Sequence, residues 1–145
     1  MTSAPYQDAI LAHARSPHNL GALMPFDARG DEVNRLCGDE VTVYLRHDPT
    51  GMATGFTAKG CALCRASASV LMLLSASRTN AEISRLVDAF IPAFADLDAP
   101  IDELVPRGTE LLFSLKPFAA RTKCVLLPWQ AMATALAALK HAPLA

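Results

Sequence analysis

Glu40-Val41-Thr42-Val43-Tyr44-Leu45-Arg46-His47 runs into Asp48-Pro49-Thr50-Gly51, and Gly60-Cys61-Ala62-Leu63-Cys64 follows shortly after. The first run alternates. Val41, Val43 and Leu45 fall on one face and Thr42, Tyr44 and Arg46 on the other, the pattern of a half-buried strand. Asp48–Gly51 has the proline and glycine of a turn, and Met52–Lys59 reads as the antiparallel return, with Thr54, Phe56 and Ala58 on one face. At Cys61 the pattern changes. Ala62–Ser77 is rich in Ala, Leu and Met without a breaker, so it reads as a helix buried on most sides.

Upstream, Tyr6–Arg15 reads as a helix with Tyr6, Ile10 and Leu11 on one face and Pro5 at a tolerated first-turn position. Ser16-Pro17-His18-Asn19 and Gly21 end it. Downstream, Thr79 or Asn80 can cap a further helix, with Glu82 in its first turn and Ile83, Leu86, Val87 and Phe90 on its apolar face. Pro92–Pro106 is acidic and proline-punctuated and gives no clear element. Glu110–Leu115 fits a short helix or a strand. A last, alanine-rich helix is predicted from about Leu127 to Lys140, with Pro128 near its first turn. No repeat or linker divides the chain, so residues 1–145 are read as one domain.

Hydrophobic residues make up 52% and charged residues 19%, which excludes a disordered chain and suits a domain with a core of its own. The formal net charge of -1, with no basic run, argues against a nucleic-acid partner. Met1-Thr2-Ser3-Ala4-Pro5 lacks a basic stretch followed by an apolar one, so no secretory signal is expected. The longest apolar stretches are too short to span a bilayer, so no membrane partner is expected. A cytoplasmic location follows as the expectation, and there cysteines serve as ligands or reactive thiols more often than as disulfides.

All four cysteines lie in chemically suggestive settings. In Cys37-Gly38-Asp39 the glycine lets the chain bend between a soft and a hard donor; the plain alternative is a turn with a buried cysteine and a surface aspartate. Cys61 sits where a strand hands over to a helix, where unpaired backbone N–H groups favour a thiolate. Cys64 completes a C-x-x-C pair and reads either as a chemical thiol or as a small apolar filler. Cys124 follows Arg121 and Lys123, cations that can hold a thiolate ionised, and Arg65 follows Cys64. These cations also read as solvated side chains, and for Arg65 that reading is preferred. The separations match no zinc-finger spacing, so any shared site must be gathered by folding.

Together, Cys37-Gly38-Asp39, Gly60-Cys61 followed by Ala66-Ser67-Ala68-Ser69, and Lys123-Cys124 resemble the IscU/SufU/NifU-N family of iron–sulfur cluster assembly scaffolds. Tyr6, Ile10, His13, Pro17, Asn19 and Gly21 resemble that family's opening helix and turn, and the likeness extends from about Tyr6 to Ala138. It implies an α+β fold, with a small antiparallel sheet of about three strands packed against helices and a long C-terminal helix. It also implies a site of Cys37, Asp39, Cys61 and Cys124 that binds iron, a transient 2Fe–2S cluster or zinc. The implied partners are a cysteine desulfurase, which donates sulfane sulfur, and apo iron–sulfur acceptor or carrier proteins. The implied role is that of a scaffold or sulfur carrier, not an enzyme.

Lys123 stands where the IscU branch typically has histidine, so the chain is more similar to the SufU branch, regarded mainly as zinc-containing sulfur acceptors. On that resemblance Cys37 is the expected persulfide acceptor and Cys124 the second choice. Cys64, where relatives usually have a small non-thiol residue, Ala119, where SufU-like chains often have proline, and the Ile91–Gly108 segment depart from the pattern. The alternatives are zinc-dependent sulfur transfer without a scaffold role, a Cys61/Cys64 thiol oxidoreductase, and a structural zinc domain.

Overall fold

A computed structural model of the chain describes residues 4–96, 108–115 and 122–141. Helix α1 (Ala4–Arg15) precedes three strands, β1 (Ala28–Asn34), β2 (Asp39–Asp48) and β3 (Gly51–Lys59). Then come α2 (Ala62–Ser75), α3 (Asn80–Ala95), the single turn α4 (Glu110–Phe113) and the long α5 (Thr122–His141). The α+β class is as expected.

The sheet is antiparallel in the order β1-β2-β3. Its register sets Val43 against Phe56, Leu45 against Thr54 and Val41 against Ala58, so the predicted apolar faces meet on one side. Val41, Val43, Leu45 and Phe56 are completely or almost completely buried there. Helix α5 packs on β1 and β2, and α2 fills the space between β3 and α5. Gly30 of β1 permits that approach, because a Cβ there would collide with the Ala131 carbonyl oxygen of α5. The opposite face is closed by the segment after α1: Tyr44 meets Phe26 edge-on at 5.4 Å. The same segment covers the outer edge of β3, where Gly21 N–H donates to the Phe56 carbonyl at 2.7 Å and Phe56 N–H to the Asn19 carbonyl at 3.2 Å.

Strand β1 had no counterpart among the elements read from the residues. Ala-Arg-Gly-Asp-Glu-Val-Asn is polar and glycine-interrupted, and it becomes a strand because β2 pairs with it and α5 covers it. Helix α3 starts as expected, with Thr79 and Glu82 in a reciprocal capping box. The ambiguous Glu110–Leu115 stretch is helical, with Leu112 and Phe113 buried. Residues 91–96 complete α3 and its cap, and Gly108 precedes α4; the rest of the Ile91–Gly108 segment, with Ala119, lies outside the described residues.

The last helix begins at Thr122, not near Leu127, so Pro128 sits inside it. Proline signalled a start, but Val125, Leu126 and Leu127 are buried on the core and hold the earlier turn helical. Pro128 has no N–H to give the Cys124 carbonyl, a local cost accepted inside the helix. The shift matters for function, because it makes Cys124 a helical residue of the first turn.

Candidate metal centre

Cys37 lies on the turn joining β1 to β2. Asn34 organises that turn: its carbonyl accepts from Cys37 N–H at 3.3 Å and Gly38 N–H at 2.8 Å. Its side-chain oxygen accepts from Leu36 N–H at 3.1 Å. Gly38 takes φ +76°, the left-handed conformation that favours glycine. The chain thereby turns sharply from exposed Cys37 into Asp39, the first residue of β2.

Asp39 is only 5% exposed, which overturns the reading of a surface aspartate. Gly60 makes room for it: a Cβ at Gly60 would stand 3.1 Å from the carboxylate carbon. Oδ1 accepts from Cys61 N–H at 3.3 Å. Oδ2 is buried and has no hydrogen-bond partner among the described residues. A buried carboxylate oxygen without a partner is costly unless something else satisfies it.

Cys124 enters from the first turn of α5 and is 5% exposed. Its sulfur, the Cys37 sulfur and an Asp39 oxygen all lie within 4.8 Å of one another. Donors around a tetrahedral zinc stand roughly 3.5–4 Å apart, so a small contraction would close them on an ion. The donor set and the orphaned Oδ2 fit a metal ion. Cys61, the N-cap of α2, keeps extended dihedrals (φ -69°, ψ 167°) and is half-buried. Its thiol hydrogen-bonds the Cys124 thiol but is not one of the three clustered donors. Three of the four expected residues are thus gathered tightly, and Cys61 stands beside them.

Burial pushes the Cys124 thiol up to about 12, assisted by its hydrogen bond with Cys61 and by the charges of Cys61, Asp39 and Cys37. Lys123 is exposed and lines a surface groove of about 240 Å³ with Val33, Arg35, Leu36, Leu126 and Leu127. Arg121 lies outside the described residues. Arg65 is not simply solvated either: its Nε donates to the Ala14 carbonyl at 3.3 Å, at the C-terminal end of α1. Cys64 is completely buried, and its thiol is driven strongly upward by burial first and then by the charges of Asp39, Cys61, Cys124 and Cys37.

Two serines in the quoted Ala-Ser-Ala-Ser stretch hold this end together. Ser67 Oγ donates to the Val125 carbonyl at 2.6 Å and accepts from Trp129 Nε1 at 3.0 Å, locking α2 to the turn of α5 that carries Cys124. Ser69 Oγ accepts from His18 N–H at 2.9 Å and bonds His13 Nδ1 at 2.7 Å, tying α1 and its exit to α2. Serines on the apolar face of a buried helix were the available signal, because each must find a partner.

Residues 5–93 match the NifU-like N-terminal domain family. The chain belongs to that family. It is 30% identical over 132 residues to the iron–sulfur cluster assembly scaffold protein IscU of Thermotoga maritima, covering 90% of this chain and 92% of the relative. The crystal structure of a nitrogen-fixing NifU-like N-terminal protein from Brucella abortus superposes with a TM-score of 0.79 at 26% identity, covering 94% of each chain. A candidate SUF-system iron–sulfur cluster assembly scaffold from Fervidobacterium islandicum gives a TM-score of 0.76 at 25% identity, covering 89% of this chain and 94% of that one. The structural neighbours named for NifU and the SUF system share the fold that carries Cys37, Asp39 and Cys124.

Proposed function

We propose that this chain is an iron–sulfur cluster assembly scaffold that takes sulfane sulfur from a cysteine desulfurase. Its cargo is iron, a transient 2Fe–2S cluster or zinc at Cys37, Asp39, Cys61 and Cys124. The observation that carries this reading is the Cys37–Asp39–Cys124 cluster with its unpartnered Asp39 Oδ2. Proteins of this family are scaffolds, not enzymes.

Cys37 is the persulfide acceptor in this reading, because it alone of the clustered thiols is exposed. Its thiolate attacks the terminal sulfur of the desulfurase persulfide, the donor's S–S bond breaks, and the desulfurase thiolate leaves. The exchange moves one sulfur without net oxidation. Leu36, 82% exposed beside Cys37, and the adjoining groove give a partner an apolar foothold next to the acceptor. The loaded protein then serves apo iron–sulfur acceptors. Among the described residues no helix is long and apolar enough to cross a membrane.

Asp39 supplies one hard oxygen among soft sulfurs, a weaker partner for iron or zinc, which suits a cargo that must be surrendered. Anaerobic reconstitution with iron, cysteine and a desulfurase tests the reading. A visible-absorbing 2Fe–2S species, longer-lived in Asp39→Ala, supports the scaffold. Tight zinc, no stable cluster and accelerated desulfurase turnover would instead make the protein a zinc-dependent sulfur acceptor. Equal rates of cluster transfer from wild type and Asp39→Ala would remove the role given to Asp39. A Cys61/Cys64 thiol oxidoreductase would leave the clustered Cys37, Asp39 and Cys124 without a role.

A further inference from the structure

Sulfur that reaches Cys37 as sulfane sulfur is not yet the sulfide of which a 2Fe–2S cluster is made; it lacks two electrons. We propose that Cys124 supplies them. Its sulfur displaces the outer sulfur of the Cys37 persulfide as sulfide and leaves a Cys37–Cys124 disulfide. The inference rests on the reading of Cys37 as acceptor and adds the step that follows acceptance.

Geometry selects the pair. The Cys37 and Cys124 sulfurs lie within 4.8 Å of each other, whereas Cys61 is outside that group. A disulfide bond is about 2.05 Å long, so the sulfurs must close by less than about 3 Å. The movement falls to the Cys37 side. Its turn is exposed, a Cβ at Gly38 would meet nothing within 4 Å, and the sulfur gives up only a 3.9 Å bond to the Asn34 carbonyl. The Cys124 side is held, because Ser67 Oγ donates to the Val125 carbonyl at 2.6 Å and Trp129 is completely buried. Access divides the roles. Buried Cys124 is closed to a protein donor and meets only the sulfur that Cys37 brings to it.

The step balances within the chain. Cys124 sulfur attacks the inner sulfur of the Cys37 persulfide, the one bonded to Cβ. The bond between inner and outer sulfur breaks, and its electron pair leaves with the outer sulfur as hydrosulfide. The Cys124 proton joins it, so hydrogen sulfide is released. The outer sulfur is reduced by two electrons, and the Cys37 and Cys124 sulfurs are oxidised to the disulfide. While that bond stands, Asp39 has lost both clustered sulfurs. A thiol–disulfide exchange with a dithiol reductant must therefore reopen the centre before it holds an ion or accepts sulfur again.

The test uses the full chain, stripped of metal and loaded anaerobically with cysteine and a bead-bound desulfurase. While cysteine is in excess it reopens the bond and the persulfide is renewed, so a gain of one sulfur is seen. Once beads and cysteine are removed, wild type should release one sulfide per persulfide and end two hydrogen masses lighter than the reduced protein. Trypsin should then yield Leu36–Arg46 joined to Cys124–Lys140, separable by a dithiol. Cys124→Ser and Cys124→Ala should keep the added sulfur and release sulfide at least roughly tenfold more slowly. Their retained persulfide shows that Cys37 still accepts, which separates loss of this step from a folding defect. Cys61→Ser and Cys64→Ala should release sulfide as wild type does. Equal release from the Cys124 variants, a stable persulfide in wild type, a persulfide carried by Cys124, or a cross-link from Gly60–Arg65 in place of Leu36–Arg46 would each overturn the proposal. If the desulfurase loads none of these proteins, the desulfurase reading fails on its own. Loading from inorganic polysulfide then decides the step by the same masses.

Discussion

Cys37 and Cys124 bring sulfur to the same cluster from opposite kinds of structure. Cys37 rides on an exposed turn tied down by Asn34 and opened by the positive φ of Gly38. Cys124 lies in a buried turn of α5, with Val125 held by Ser67 and Trp129 stacked on Phe90 at a ring separation of 3.8 Å. A centre built wholly like Cys124 would be rigid but closed to a protein donor. One built wholly like Cys37 would be open but poorly organised. The pairing fixes one side of the cluster and leaves the other where a partner can reach it.

The largest expected effect comes from breaking the anchored side. Trp129 is completely buried, stacks on Phe90 and donates to Ser67. Trp129→Ala should cost about 3–5 kcal/mol. Urea unfolding measures it, and a loss under about 1 kcal/mol would show that the aromatic cluster does not support this end. Next comes Ser67→Ala, which leaves the Trp129 N–H without its partner and deprives the Val125 carbonyl of a donor. About 1–3 kcal/mol should be lost. Alkylation of Cys124 should accelerate in the same variant while that of Cys37 stays constant. Equal acceleration at both thiols would mean that the two sides are not independently held.

The contrast also marks what the sequence could reveal. Local patterns were sufficient for β2, β3 and α2, because their alternation and helix-forming composition agree with the burial they receive. Cys37, Asp39 and Cys124, which folding gathers, were legible as candidate donors from residue type and from family resemblance, as was Cys61 beside them. Strand β1 was not, since its polar, glycine-containing sequence becomes a strand only through pairing with β2 and cover from α5. The start of α5 was misplaced because Pro128 is a local signal that tertiary burial of Val125–Leu127 overrides. The orphaned Oδ2 of Asp39 and the work of Ser67 are relations between distant segments, beyond the reach of any periodicity.

A smaller effect belongs to α3, which buttresses the anchored side through Phe90. Thr79→Ala removes the capping box and should cost about 0.5–2 kcal/mol at neutral pH. The bond that the Glu82 carboxylate accepts from Thr79 N–H, followed by the one linking it to the Thr79 side chain, holds the carboxyl below its ordinary value. A lowered carboxyl stabilises the fold above its unfolded-state value, and the gain is lost as pH falls through the folded-state value. The difference between wild type and Thr79→Ala should therefore shrink in acid. His13 behaves with the same sign at higher pH: burial, then the nearby His18, lowers it, so its ring, bonded to Ser69 Oγ through Nδ1, favours the neutral form. Thermal stability should fall as pH drops below the ordinary histidine range, and His13→Asn should flatten that dependence.

The smallest stability change should come from the open side, and there the comparison is sharpest. Cys37 is exposed, and its side-chain hydrogen bond to the Asn34 carbonyl is 3.9 Å long, so Cys37→Ser should shift stability by less than about 0.5 kcal/mol. Its effect on cargo should nevertheless be large, because a serine hydroxyl is a poor ligand for zinc and cannot carry a persulfide. Incubation with a desulfurase and cysteine, followed by intact-mass analysis, should show the mass gain of one sulfur in wild type and none in the variant. A variant that still gains sulfur would move the acceptor to Cys124 or Cys61. The reachable side of the centre would then be the helix ends and not the turn.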